Sequence, residues 1–387
     1  MAMTLVDLLS SEFRRDPSAT YERLHDGGEV GRDGRLGVYY VWGRAAAQMV
    51  LTDTTTFSST LRQPPERTMY GAKTMIFSDP PDHTELRRQF GPFLAGESLD
   101  HAASELRSEV ASMVAATATG TCIDAMSAIC RPLPVMAICR VVGLNVDNWE
   151  MLESASNAIV AVSGGAQGAR RRRAAAEMLQ DYFRELSVRD LADLPHPTRS
   201  AYERLRASSM QEPELAAGLM LLLIAGHETT AAFLGNLVIL LAENPQLLNQ
   251  FTDAPPRFVD EALRLVGPIV ALRRVSTLPS VVGGVEIPSG ATVVVLPAAA
   301  NVDPRRYSSA QTFMLDRSNE PPPLAFGFGI HRCAGSRLAT LEATLLLSAL
   351  AEMRASFELL SDPVKYVPSA FVRRPSELYV RAWSRVE

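Results

Sequence analysis

From Leu215 to Leu241 the chain runs through an almost unbroken apolar stretch, bracketed by helix punctuation at both ends. Pro213 followed by Glu214 is a good helix start, and Asn244-Pro245 is a good stop. A helix from Pro213 to Asn244 would be about 48 Å long at ~1.5 Å per residue. That length could span a bilayer. The middle of the stretch, however, reads Gly226-His227-Glu228-Thr229-Thr230, and a carboxylate there would be costly in lipid. The stretch is therefore expected to be a helix through the centre of a large protein core, with no membrane span.

The rest of the chain can supply such a core. Its 387 residues are 47% hydrophobic and 21% charged, which excludes disorder, fibrous repeats and a disulfide scaffold. Helical patterning dominates from about Leu99 to Leu248, with apolar residues three and four apart in Leu99 to Ala116, Asn148 to Val162 and Ala174 to Val188. Strand signals sit near the two ends, at Gly37 to Trp42, Val281 to Val285, Ala291 to Leu296 and Leu378 to Ala382. The expected fold is mainly α with small antiparallel β-sheets (α+β), in one domain spanning residues 1–387. A formal charge of −5 offers no basic field for nucleic acid. The run Arg170 to Arg173 points in several directions around a helix and reads as a solvated face. Cys122, Cys130, Cys139 and Cys333 form no C-x-x-C pair, and the N-terminus lacks a signal-peptide pattern. Cytoplasmic location follows as the simplest expectation. Three of these cysteines sit among apolar residues and read as small core residues; Cys333 does not.

Cys333 closes the run Phe326-Gly327-Phe328-Gly329-Ile330-His331-Arg332-Cys333-Ala334-Gly335, just ahead of a helical segment from Ser336 to Met353. Glycines at three positions permit a tight loop and close backbone approach to a flat ligand. A cysteine just before a helix start sits where the dipole favours a thiolate, a soft metal ligand or nucleophile. The run resembles the haem-binding loop of the cytochrome P-450 (haem-thiolate monooxygenase) superfamily, F-G-x-G-x-H-x-C-x-G, at every specified position. Ala225 to Thr230 resembles the superfamily's central-helix motif, and Glu261-Ala262-Leu263-Arg264 resembles its E-x-x-R helix, in the expected order.

The resemblance implies a haem b cofactor with Cys333 as the iron ligand. Phe326, Gly327, Gly335 and Ala225 would lie against the haem. His83 and Arg87, four apart on a predicted helix, would meet its carboxylates together with Arg274 and His331. Arg273 competes with Arg274 for that place, and the valine after Arg274 favours the latter. Thr229 would hydrogen-bond the oxygen being activated, and Glu228 would relay protons to it. The Glu261–Arg264 pair would be tied to an arginine before the haem loop, but Thr312 stands at the position where that arginine is expected. Arg305, Arg306 and Arg317 are the alternatives, and the choice stays open.

The implied activity inserts one oxygen atom from O2 into a small organic substrate, by hydroxylation or epoxidation. The length is expected to leave no room for a fused reductase. Electrons would therefore come from a separate ferredoxin and an NAD(P)H-dependent ferredoxin reductase, docking near Arg88, Arg332 and Arg337. The alternatives are oxidative coupling, peroxide-driven oxidation and a non-catalytic haem-binding partner protein. The substrate pocket would draw on Leu61 to Ile76, Ile224, Ala225, Ile269, Val270 and Phe371. Arg62, Arg67 and Lys73 are candidates for anchoring an anionic substrate.

Overall fold

The computed structural model describes residues 5–60, 69–161, 165–188 and 190–384. Eight helices position the site: α1 (Asp82–Phe90), α2 (Glu97–Thr117), α3 (Pro132–Val142), α4 (Trp149–Val160), α5 (Gly165–Val188), α6 (Glu212–Glu243), α7 (Pro255–Val266) and α8 (Ser336–Glu352). Helix α6 is the predicted central helix, displaced by one residue at each end. A reciprocal capping box between Gln211 and Glu214 starts it, which satisfies amide groups that a helix end leaves unpaired. In its most apolar 18-residue window 78% of the residues are buried, so its length serves a protein core. Helices α3, α5 and α7 pack on it.

Two glycines make that packing close. A Cβ at Gly218 would stand 1.9 Å from the Phe90 ring, so α1 can cross only over a residue without a side chain. At Gly226 a Cβ would lie 3.1 Å from Ile138 Cδ1 on α3. The glycine of the central motif therefore tightens helix packing on its face of α6 rather than loosening it.

Among the described residues ten short strands flank the helices: β1 (Val30–Arg32), β2 (Tyr39–Val41), β3 (Phe57–Ser58), β4 (Thr119–Asp124), β5 (Leu272–Ser276), β6 (Ser280–Val282), β7 (Val285–Ile287), β8 (Thr292–Val295), β9 (Ser356–Leu359) and β10 (Tyr379–Trp383). Early and late strands do pair, in a sheet of order β1-β2-β8-β5-β3. One pairing corrects the all-antiparallel expectation: β2 and β8 run parallel, with Tyr39 opposite Val293. Nearly the whole helical body separates them in sequence, so no tight turn imposes the antiparallel direction. The strands β4, β10 and β9 form a second sheet, antiparallel throughout. Gly283 and Gly284, both at positive φ, turn the hairpin β6–β7.

Candidate active site

The loop before α8 folds back on itself. The Cys333 amide donates to the Phe326 carbonyl at 2.8 Å, and the Gly327 amide donates to Leu324 at 2.8 Å. Gly327 and Gly329 hold φ near +70°, and a Cβ at Gly329 would come within 2.5 Å of the Leu51 carbonyl. Cys333 is exposed only in the sense that it lines a cavity between this loop and α6. Burial pushes its thiol up, while the Gly335 amide and the charges of Arg87 and Arg332 pull it down. Cys130 and Cys139 are buried as expected, and burial drives the Cys139 thiol up to about 12. Cys122 departs from expectation: it is exposed on β4, an edge strand with little apolar cover.

Across the cavity, α6 presents Ala225, Thr229 and Thr230. The Thr229 hydroxyl donates to the Ala225 carbonyl at 2.9 Å, and Thr230 donates to Gly226 at 3.0 Å. Such back-bonding fixes the rotamers without breaking the helix. Glu228 stands behind this wall. Burial raises its carboxyl pKa, and the charge of Arg374 opposes the rise.

A third side of the cavity is cationic. His83 and Arg87, four apart on α1, line it together with His331, whose ring centroid is 4.3 Å from that of His83. Arg274 lies behind them on β5, buried, whereas Arg273 points to solvent. The strand's alternation therefore selects Arg274. Both ring nitrogens of His83 and Nε of Arg274 are buried without a partner among the described residues. His331 is pushed down to about 3 by burial, then by Arg274 and His83; Arg274 is pushed down to about 10 by burial. Asp79, the anion whose charge acts on His83, Arg274 and His331, is already engaged by Ser58, Ser59 and Thr60. Unpaired buried nitrogens at the cavity wall and just behind it suit an anionic ligand. A flat macrocycle carrying two carboxylates and seeking one thiolate fits this donor set.

Away from the cavity, the E-x-x-R pair resolves the open position. Arg264 Nε and Nη2 donate to Glu261 at 2.7 and 2.8 Å, both residues being buried. The third member is Arg317, whose Nε lies 2.9 Å from each Glu261 oxygen. Thr312 contributes only its carbonyl, which accepts from Arg264 and from Arg317.

The predicted residues thus converge, although Arg274 and Glu228 stand behind the cavity wall instead of lining it. Phe326, Gly327 and Gly335 line it from the loop side. Of the predicted pocket residues, Met75, Ile76 and Ile269 also line it. Ile224 and Val270 are buried in the core, and Phe371 faces solvent. Arg62 and Arg67 lie outside the described residues, and Lys73 is engaged by Asp82. Sequence reasoning missed Glu342 on α8. It borders the cavity, is fully buried, and has both oxygens unpaired among the described residues. Burial raises its carboxyl well above the usual range, which favours its protonated form. A lone glutamate in the apolar run from Leu338 to Leu350 was the available signal.

The family description "Cytochrome P450" matches residues 256–380. "Cytochrome P450 109" of Bacillus spizizenii is 29% identical, over 97% of this chain and 94% of its own length. "Erythromycin C-12 hydroxylase" of Saccharopolyspora erythraea is 30% identical, over 82% of each chain. The crystal structure of CalO2 superposes with a TM-score of 0.87 at 26% identity, covering 98% of this chain and 99% of the other. With a thiol loop facing a hydroxyl-bearing helix across one cavity, the chain belongs to the cytochrome P450 superfamily of haem b monooxygenases, in its bacterial form.

Proposed function

We propose that this chain is a soluble, cytoplasmic enzyme, one haem-thiolate domain over residues 1–387. It would place one oxygen atom from O2 into a small, largely apolar molecule by hydroxylation or epoxidation. Electrons would come from a ferredoxin and its NAD(P)H-dependent reductase. The observation that carries this reading is the shared cavity, with the Cys333 thiol on one side and the Thr229 hydroxyl on the other. The named activity of the erythromycin hydroxylase agrees with it.

Cys333 would ligate the haem iron, and His83, Arg87, Arg274 and His331 would hold the haem carboxylates. When bound, the haem supplies the redox chemistry that activates O2. The chain's own task is to bind, orient and protonate. Ile76, Ile269 and Phe233 enclose the substrate in an apolar wall that excludes water. The Thr229 hydroxyl, anchored at Ala225, is free to accept from a donor on its cavity side. Glu228, its carboxyl raised by burial and held behind Thr229, is placed to hold and pass on a proton. A proton-relay pair favours O2 over peroxide as oxidant, because peroxide already carries its protons. Arg88, Arg332 and Arg337 are exposed, Arg88 already sharing its charge with Glu85, and they offer a face for an acidic electron carrier.

Two measurements test this reading. The reduced protein under carbon monoxide should give the red-shifted Soret band of thiolate ligation, and Cys333→Ala should abolish it. A histidine-type spectrum unaffected by that substitution would sink the assignment. Thr229→Ala should keep substrate binding and NAD(P)H consumption while product per NAD(P)H drops about tenfold and peroxide escapes. Wild-type coupling in that variant would remove Thr229 from the mechanism.

A further inference from the structure

Behind Glu228 the structure holds a group of polar residues that the reading above does not use. Arg374 comes from the segment after the isolated pairing of Ile269 with Val372. That segment is pinned to α6: Asn236 Nδ2 donates to the Arg373 carbonyl at 3.1 Å, and Pro375 packs against Gly235. The charge of Arg374 acts on Glu228 and His227 of α6 and on Glu153 of α4. On α4, Glu153, Ser156 and Asn157 are spaced to share one helix face. Ser156 brings that face to α6 through His227 Nδ1 at 3.4 Å. Asn157 Nδ2 donates to Glu153 at 2.7 Å, and Arg131 reaches the same carboxylate at 3.6 Å. Side-chain exposure rises from 12% at Glu153 to 31% at Arg131, so the series ends at solvent.

The series is not closed by its own hydrogen bonds. Arg374 Nε, Asn157 Oδ1 and His227 Nε2 are buried and have no partner among the described residues. Three such atoms on neighbouring elements would be costly unless water satisfies them. Buried polar atoms left without a protein partner are what bound water satisfies. We propose that Arg374, Asn157 and Glu153 form a hydrated polar corridor that conducts protons from the surface at Arg131 to Glu228. This rests on Glu228 being the relay named above. Each proton that Glu228 gives up is replaced from bulk solvent through water. Arg374 keeps its charge throughout and acts as a positioning residue, and no electrons move. His227 does not compete, since burial holds it down to about 4 and hence neutral.

The test follows the Glu228 carboxyl directly in the haem-loaded protein, by infrared titration of its carboxyl stretch with Glu228→Gln as the reference. Removing a nearby positive charge in Arg374→Met should raise the Glu228 midpoint by about one pH unit, and Arg374→Lys should restore it. Asn157→Leu and Glu153→Gln should leave the substrate-induced Soret shift intact. Both should slow product formation about tenfold and enlarge its solvent isotope effect. Should Arg374→Met not fold, those two variants carry the test from the surface side. An unmoved midpoint in Arg374→Met, or wild-type product rates in both α4 variants, would overturn the corridor. Glu228→Gln separates the levels: if it turns over normally, the relay itself is wrong. If it is slow while the corridor variants are not, only the corridor falls.

Discussion

Two arginine clusters in this chain handle the same chemistry in opposite ways. In the Glu261–Arg264–Arg317 knot, the Arg264 guanidinium makes five donor contacts: two to Glu261 and one each to the carbonyls of Asn301, Ala310 and Thr312. Glu261 also accepts from the Met314 amide at 2.9 Å. In the cluster of His83, Arg87, Arg274 and His331, by contrast, buried nitrogens on His83 and Arg274 have no acceptor among the described residues. A saturated network specifies one backbone arrangement, whereas an unsaturated one holds donors ready for a ligand. On this contrast the knot suits folding, and the open cluster suits the haem-binding role proposed for it.

The sharpest way to break that distinction is to cut the knot. Glu261→Gln leaves the buried Arg264 without its anion, while Arg317 keeps Glu320, and should cost about 3–5 kcal/mol of stability. Urea unfolding of the haem-loaded protein checks this, and a loss under about 1 kcal/mol would deny the knot its structural role. Arg317→Leu should behave alike, whereas Arg306→Leu should not.

The open cluster should respond in haem affinity instead. Arg274→Ala removes a charge-assisted contact worth roughly 1.5–3 kcal/mol, equivalent to about 10- to 150-fold weaker haem retention. Transfer of haem to an acceptor protein measures it, with the exposed variant Arg171→Ala for comparison. If Arg274→Ala unfolds the chain as Glu261→Gln does, the two clusters are not different in kind.

The smallest effect concerns Glu342, whose carboxyl is raised by burial. Between the ordinary glutamate range and its raised folded value, the native state holds a proton that the unfolded state has lost. Stability therefore falls as pH rises through that window, by at most about 1.4 kcal/mol per pH unit. Glu342→Gln should remove this slope, so that the gain in Tm over wild type is larger at pH 8 than at pH 5. Parallel Tm profiles would show that Glu342 finds a partner when haem is bound.

The contrast between clusters also explains what was legible in the sequence. The haem loop was readable because its geometry is local: ten contiguous residues carry the glycines, the histidine and the cysteine. Helix α6 was readable because its apolar run and its end signals are local too. Arg317 was not, because it reaches Glu261 across 56 positions from irregular backbone, five residues beyond the position that alignment by pattern suggested. The position itself still matters, since the Thr312 carbonyl takes bonds from both arginines. Strand β4 carries no apolar alternation, so it escaped notice and Cys122 was misplaced with it. Arg374 and Glu342 escaped for another reason. Their meaning lies in what they fail to pair with, and a sequence does not display missing partners.

The pairing of β3 with β5 sets Phe57 opposite Ser276 and Ser58 opposite Val275. This joint brings Ser59, which contacts His331 at 2.9 Å, onto the sheet whose β5 carries Arg274. The cluster of His83, Arg87, Arg274 and His331 thus draws on three widely separated parts of the chain, and its last member, like the thiol, lies beyond residue 330. During synthesis the proposed ligand set is incomplete until Cys333 has left the ribosome, long after α6 has been made. Haem capture by the full set is therefore an event that follows the synthesis of α6.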